Sequence, residues 1–260
     1  MVGLGADRTA ARLPRRERVV IVAALGAVTA LSWLYLYLQM QPMADMADMA
    51  PAMFAPWTAA DFALNLAIWW VMMPGMMLPS AAPMILTFAT VNRRKRERGQ
   101  PFVPTLVFTA GYLVAWGLFG VFASLADWAL ERAALISPMT GRLTPILGAI
   151  MVIAAGIYQL SPLKSVCLRH CRSPFDFVLN HWRDGASGAL RMGLEHGLYC
   201  LGCCWFLMAL MFAAGIMSLL WMAVIAVFIL FEKLLPAGTW LARAGGAAML
   251  GFGVYLLVAG

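Results

Sequence analysis

Apolar residues run through this chain in long blocks separated by short polar or basic breaks. Six blocks stand out, at residues 19–38, 59–89, 102–125, 143–160, 190–213 and 216–231, and a Gly-rich seventh follows at 242–258. Crossing a hydrocarbon core takes about 20 helical residues, and a helix satisfies its own backbone polar groups there. The pattern therefore predicts an all-α fold, a polytopic transmembrane helix bundle of six or seven spans. Pro74, Pro79 and Pro83 fall inside the second block, and proline in a helix interior predicts a kink or break. Gly215 marks a tight turn, and Glu232, Lys233, Pro236 and Gly238 interrupt the pattern before the last block.

Composition supports this reading. Of 260 residues 63% are hydrophobic and 12% charged, and the mean hydropathy of +0.81 excludes an ordinary soluble domain. The net charge of +7 is distributed by topology, so no nucleic-acid partner is expected. Residues 1–18, 92–100 and 161–191 carry five Lys or Arg each, whereas 39–57 carries none and the third-to-fourth connection has Arg132 and Arg142. Basic loops stay on the cytoplasmic side, which predicts a cytoplasmic N-terminus and a multi-pass protein of the bacterial inner membrane. The first block reads as an uncleaved signal anchor, being long and without a nearby small-residue cleavage site. Two regions are expected: 1–57, with the basic terminus, first span and external loop, and 58–260, the membrane bundle.

Candidate chemistry concentrates in the fifth block, around Glu195, His196, Cys200, Cys203 and Cys204. Ionisable groups are costly in a bilayer and point to function. Helical spacing puts His196, Cys200 and then Cys203 or Cys204 on one face, so a single helix offers two or three soft ligands. Glu195, about a hundred degrees round the helix, is positioned to orient the imidazole. Gly193, Gly197 and Gly202 allow a partner helix to approach closely. Cys167 and Cys171 flank His170 just after the fourth block; their spacing places both sulfurs on one side of a helical turn, and Arg169 and Arg172 favour the thiolate. Thiolates select Cu(I), Zn(II) or iron–sulfur clusters. The odd count of five cysteines argues against a disulfide framework.

Methionine adds a second signal. Met40, Met43, Met46 and Met49 recur every third residue in the external loop, and Met53 follows. Thioethers select Cu(I) and do not form disulfides. In the second block Asp61, Asn65, Trp69, Met72 and Met76 form one helical stripe. The simplest reading of such a stripe is core filler, but its Asp and Asn favour a face turned to the bundle interior. A ladder of thioethers leading toward buried thiols would form a Cu(I) path.

No nucleotide-binding loop, dinucleotide glycine motif or hydrolase triad is present, so binding is expected rather than catalysis. The stretch Trp70-Val71-Met72-Met73-Pro74-Gly75-Met76-Met77-Leu78-Pro79, the loop from Tyr158 through Pro162 and Lys164 to Cys167 and Cys171, and the run from His196 through Cys200, Cys203, Cys204 and Trp205 to Met208 together resemble a bacterial family of integral membrane proteins predicted to bind metal. The resemblance covers residues 58–240. It implies copper handling, supplies no reaction, and implies that Cys167, Cys171, His196, Cys200, Cys203 and Cys204 belong to the family pattern.

The expected function is soft-metal binding in copper capture, delivery or storage. The metal set is His196, Cys200, Cys203, Cys204, Cys167, Cys171, Met43, Met46, Met49, Met72 and Met76. Cu(I) is the first choice of ion and Zn(II) the alternative. The expected partners are the lipid bilayer and a membrane or periplasmic protein that supplies or receives copper; the other form of this reading is an accessory subunit of a membrane cuproenzyme. The rival readings are a membrane thiol oxidoreductase and a structural subunit of a larger membrane complex.

Overall fold

The computed structural model describes residues 13–44, 57–137, 141–216 and 218–259, with the backbone alone for 40–44. Met46 and Met49 lie outside the described residues, as does the side chain of Met43. Nine α-helices occur among the described residues: α1 (Arg15–Ala44), α2 (Ala59–Glu97), α3 (Thr105–Arg132), α4 (Pro145–Leu160), α5 (Pro162–Arg172), α6 (Pro174–Asn180), α7 (Gly185–Ala214), α8 (Leu219–Leu234) and α9 (Gly238–Ala259). The sole extended pairing among them is an isolated antiparallel bridge, Ile136 with Leu143.

Five helices, α1, α2, α3, α7 and α9, are long and apolar enough to cross a membrane; the α4–α5 pair, bent by 64° at Ser161, makes a sixth if counted as one broken span. The bend follows from Ser161-Pro162: proline cannot continue the α4 hydrogen-bond ladder, and Ser161 caps α5 by accepting from the Lys164 N–H at 3.2 Å. Helix α8, with 16 residues, is about 24 Å long and falls short of that length. The segment 161–187, read from sequence as a polar loop, is mostly helix, formed by α5, α6 and the start of α7.

The three prolines do not break the second block; α2 runs unbroken for 39 residues. A capping box starts it, with the Asp61 N–H donating to Thr58 Oγ1 at 3.3 Å and the Thr58 N–H donating to Asp61 Oδ2 at 2.8 Å. Tertiary contact offsets part of the proline cost. Pro79 leaves the Gly75 carbonyl without its helical donor, and Trp33 of α1 supplies an indole N–H to that oxygen at 3.2 Å. Gly75 is also a point of close approach to α1, because a Cβ there would meet Ser32 Cβ at 2.9 Å.

Helices α3 and α7 pack with backbones nearly touching. Side chains at Gly111 or Gly193 would collide with the carbonyls of Leu190 and Phe108 respectively, so the sequence glycines do permit close approach. The core is unusually rich in sulfur: Met72, Met73, Met76, Met77 and Met84 of α2 and Met192, Met208 and Met211 of α7 are all buried. At the end of the bundle carrying the basic run, Lys95 of α2 pairs with Asp184 before α7 at 2.6 Å. That hydrogen bond, with one from the Trp182 indole, holds the Asp184 carboxyl below its usual range.

Candidate metal centre

The cysteines of α5 and α7 meet in the bundle interior. Cys171 of α5 and Cys203 of α7, 32 residues apart in sequence, place their sulfurs 3.8 Å apart. Cys200, Cys203 and Cys204 are all about 1% exposed. The thiols of Cys203 and Cys204 both donate to the Cys200 carbonyl at 3.0 Å, turning back along α7. Cys200 Sγ has different company: the Lys233 ammonium of α8 donates to it at 2.9 Å and the Tyr112 hydroxyl of α3 lies at 3.1 Å. Lys233 also donates to Ser80 Oγ of α2 at 3.2 Å. Three helices, α3, α7 and α8, thus meet at one sulfur atom, and α2 joins them through Lys233.

A second buried charge group lies beside it. Lys164 of α5 and Glu232 of α8 are each about 1% exposed and pair through bonds of 2.8 and 3.0 Å. Gln159 completes the group, accepting from Lys164 and donating to Glu232. This trio balances its own charge, so the group left to partner the buried Lys233 is the Cys200 sulfur. A buried ammonium is tolerable only when paired.

Not every expected ligand joins the group. His196 is buried, but its ring packs against aromatic ones, with centroids 5.4 Å from Phe177, 5.6 Å from Tyr112 and 6.3 Å from Phe108. Its Nδ1 has no partner among the described residues. Glu195 does not orient it: Oε1 accepts from Arg183 and Arg191, each at 3.2 Å, and Oε2 has no partner among the described residues. Cys167 is half-buried and sits over Gly202, where a Cβ would come within 2.8 Å of its sulfur. Arg172 does not serve the thiols either; it donates to the carbonyls of Glu232 and Pro236, clamping the α8–α9 turn. Met72 and Met76 are buried on α2, as the stripe implied. Among the described residues no three His, Cys, Asp or Glu groups form a ready-made metal cage.

A family described as PpoB2, copper chaperone, matches residues 66–256. The chain belongs to this copper chaperone family. The match takes in Met72, Met76, His196 and all five cysteines, and leaves out α1 and the Met-rich segment at 40–53. It agrees with the resemblance drawn from the three motifs. No curated protein and no solved structure matches the chain.

Tyr112, Lys164, Lys233 and Glu232 were missed as site residues. Lys164 reads from sequence as one more basic loop residue, and Glu232-Lys233 as the end of an apolar block. A usable signal was present: a carboxylate and an ammonium at the end of an otherwise uncharged run, where burial requires partners.

Proposed function

We propose that this member of the copper chaperone family is an integral membrane protein that holds Cu(I) at Cys171, Cys200, Cys203 and Cys204 and passes it to a cuproprotein partner. Met72 and Met76 lie on its route to the thiols. In this reading the basic run at residues 93–98 faces the cytoplasm, the N-terminus is cytoplasmic, and the membrane is the bacterial inner membrane. Met43, Met46 and Met49 serve as an outer capture segment. Cys167 and His196 stand at the edge of the site, available as the ion enters or leaves.

The observation that carries this reading is the meeting of Cys171 and Cys203 at 3.8 Å beside a sulfur already held by a buried lysine. With metal–sulfur bonds of about 2.3 Å, two thiolates sharing one ion stand roughly 3.8 Å apart at a tetrahedral angle and about 4.6 Å apart in a line. Charge then favours the monovalent ion. With Cys200 and one of the facing pair Cys171 and Cys203 as the two thiolates, and the remaining cysteines as neutral thiols, the Cu(I) complex carries one negative charge, which Lys233 neutralises; the same two thiolates with Zn(II) are neutral and leave the ammonium unbalanced. Membership of a copper chaperone family supports the same ion.

Metal analysis of anaerobically purified protein tests it. The wild type should hold near-stoichiometric copper, and Cys200→Ser combined with Cys203→Ser should lose it. Full retention in that double variant would overturn the site assignment. A metal-free wild type whose free-thiol count changes with redox state would point to a dithiol oxidoreductase instead.

A further inference from the structure

Four of the six buried side-chain atoms without a hydrogen-bond partner among the described residues belong to α2 and α3: Asn65 Oδ1, Trp69 Nε1, Trp116 Nε1 and Ser124 Oγ. They follow one seam. On α2, Asn65, Trp69, Met72 and Met76 recur at helical spacing, and on antiparallel α3 so do Asp127, Ser124, Trp116 and Tyr112. Three bonds fix the register: Asn65 Nδ2 to Asp127 Oδ2 at 2.8 Å, Trp70 Nε1 to the Gly117 carbonyl at 3.1 Å, and the Tyr112 hydroxyl to the Met77 carbonyl at 3.4 Å. The seam thus leads from Asp127, past the unpaired polar atoms and Met72 and Met76, to Tyr112 and the Cys200 sulfur.

Ser124 is the telling residue. Helical serines and threonines usually return their hydroxyl to a carbonyl one turn back. Thr87, Thr90 and Thr109 do so here. Ser124 does not, although it is fully buried, and buried polar atoms left by the protein are normally taken up by water or a ligand. Asp127 lies one turn away, 6% exposed, and bonded to Asn65 through one of its oxygens. Just beyond, at the end of the bundle away from the basic run, a cavity of about 310 Å³ opens, lined by Trp57, Thr58, Ala59, Phe62, Leu125 and Trp128. Aromatic faces attract cations; the Trp128 ring already carries the Arg132 guanidinium, 5.3 Å from its centroid, which leaves Trp57 and Phe62 as the aromatic faces of the cavity.

Building on the copper-handling reading, we propose that the α2–α3 seam is a hydrated entry port in which Asp127, Asn65 and Ser124 form an oxygen-donor site for a soft monovalent cation. The aromatic cavity is its mouth. Oxygen is a poor match for Cu(I) compared with sulfur, so the ion is held weakly at the carboxylate and exchanges its water for the thioethers of Met72 and Met76. The carboxylate raises the local cation concentration, an effect on the rate of loading rather than on final occupancy.

Silver(I), a monovalent soft stand-in for Cu(I), tests this on the full-length protein in detergent, with its thiols pre-reduced, the reductant removed and air excluded. The rate of metal–thiolate absorbance gives loading, and its plateau gives stoichiometry. Asp127→Asn, which keeps the shape and the amide contact, should slow loading by about tenfold or more, within the range a focusing charge contributes, with the plateau unchanged. Ser124→Leu should slow it by plugging the seam. Glu17→Gln, which removes a charge beside Arg93 at the opposite, basic end of the bundle, should load at the wild-type rate. Wild-type loading by Asp127→Asn, or equal slowing by Glu17→Gln, overturns the port while leaving the thiol site standing. If Ser124→Leu fails to fold, Asp127→Asn decides alone. A wild type that takes up no silver overturns the copper-handling reading itself, and the port with it.

Discussion

Removing the charge of Lys233 is the sharpest test of the buried site. Its ammonium is 2.9 Å from Cys200 Sγ, and at an effective dielectric of about 20 a unit pair at that separation attracts by roughly 6 kcal/mol. Part of this offsets the desolvation of both groups; breaking such a pair by deleting one member costs about 3–5 kcal/mol. In Lys233→Met a bis-thiolate Cu(I) complex would carry its negative charge unbalanced in an apolar interior. At about 1.4 kcal/mol per decade, Cu(I) affinity should fall by roughly two to three and a half orders of magnitude. The assay is competition with a chromophoric Cu(I) chelator, anaerobically, on wild type, Lys233→Met and Lys233→Arg. The arginine variant keeps the charge and should recover much of the loss. Zn(II) affinity should hold or rise in Lys233→Met, because a neutral zinc bis-thiolate gains nothing from the ammonium. A folded Lys233→Met variant binding Cu(I) within about threefold of wild type, under 1 kcal/mol, refutes the charge-balance argument.

The neighbouring pair and the glycine contacts make two more predictions. Lys164→Met strands Glu232, which is about 1% exposed, and should destabilise the fold by about 3–5 kcal/mol, while Lys164→Met with Glu232→Leu should recover most of that; thermal melts in detergent give the comparison, and an additive double variant would refute the pairing. Gly193→Ala drives a Cβ into the Phe108 carbonyl and should cost about 1–3 kcal/mol. Gly251→Ala, which meets nothing within 4 Å, should be neutral or gain up to about 1 kcal/mol, and melts showing the two alanines to be equivalent would refute the close packing of α3 on α7.

Local pattern carried most of the fold and part of the site. Apolar blocks located the long helices, and of the stripe Asp61, Asn65, Trp69, Met72 and Met76 the structure buries Trp69, Met72 and Met76 and half-buries Asn65, while Asp61 stays exposed in the capping box that starts α2. The glycines of α7 correctly announced a close neighbour. What local pattern missed depends on residues far away in the chain. Prolines in α2 suggested a break because the donor to the Gly75 carbonyl comes from Trp33, 42 positions away. Lys164 resembled a solvated loop charge because its acceptor is 68 residues further on. The pairing of Cys171 with Cys203 crosses a bend, a short helix and most of a long one; periodicity grouped the α7 cysteines but gave no sign of which partner helix faced them. His196 shows the converse limit, since a helical face shared with Cys200 did not prevent its ring from settling among aromatic ones.

The charges on α8 also bear on the order in which the chain is made. The side chains bonded to the Glu232 carboxylate and the Lys233 ammonium, namely Ser80, Gln159, Lys164 and Cys200, lie N-terminal to them. When the ribosome delivers the short α8, its two costly residues meet partners already synthesised. No residue of α9 is needed to neutralise them. Reversed, with α8 first, an unpaired carboxylate and ammonium would have to wait through most of translation. The vectorial order of synthesis therefore protects the one helix whose charges make it least able to be buried alone.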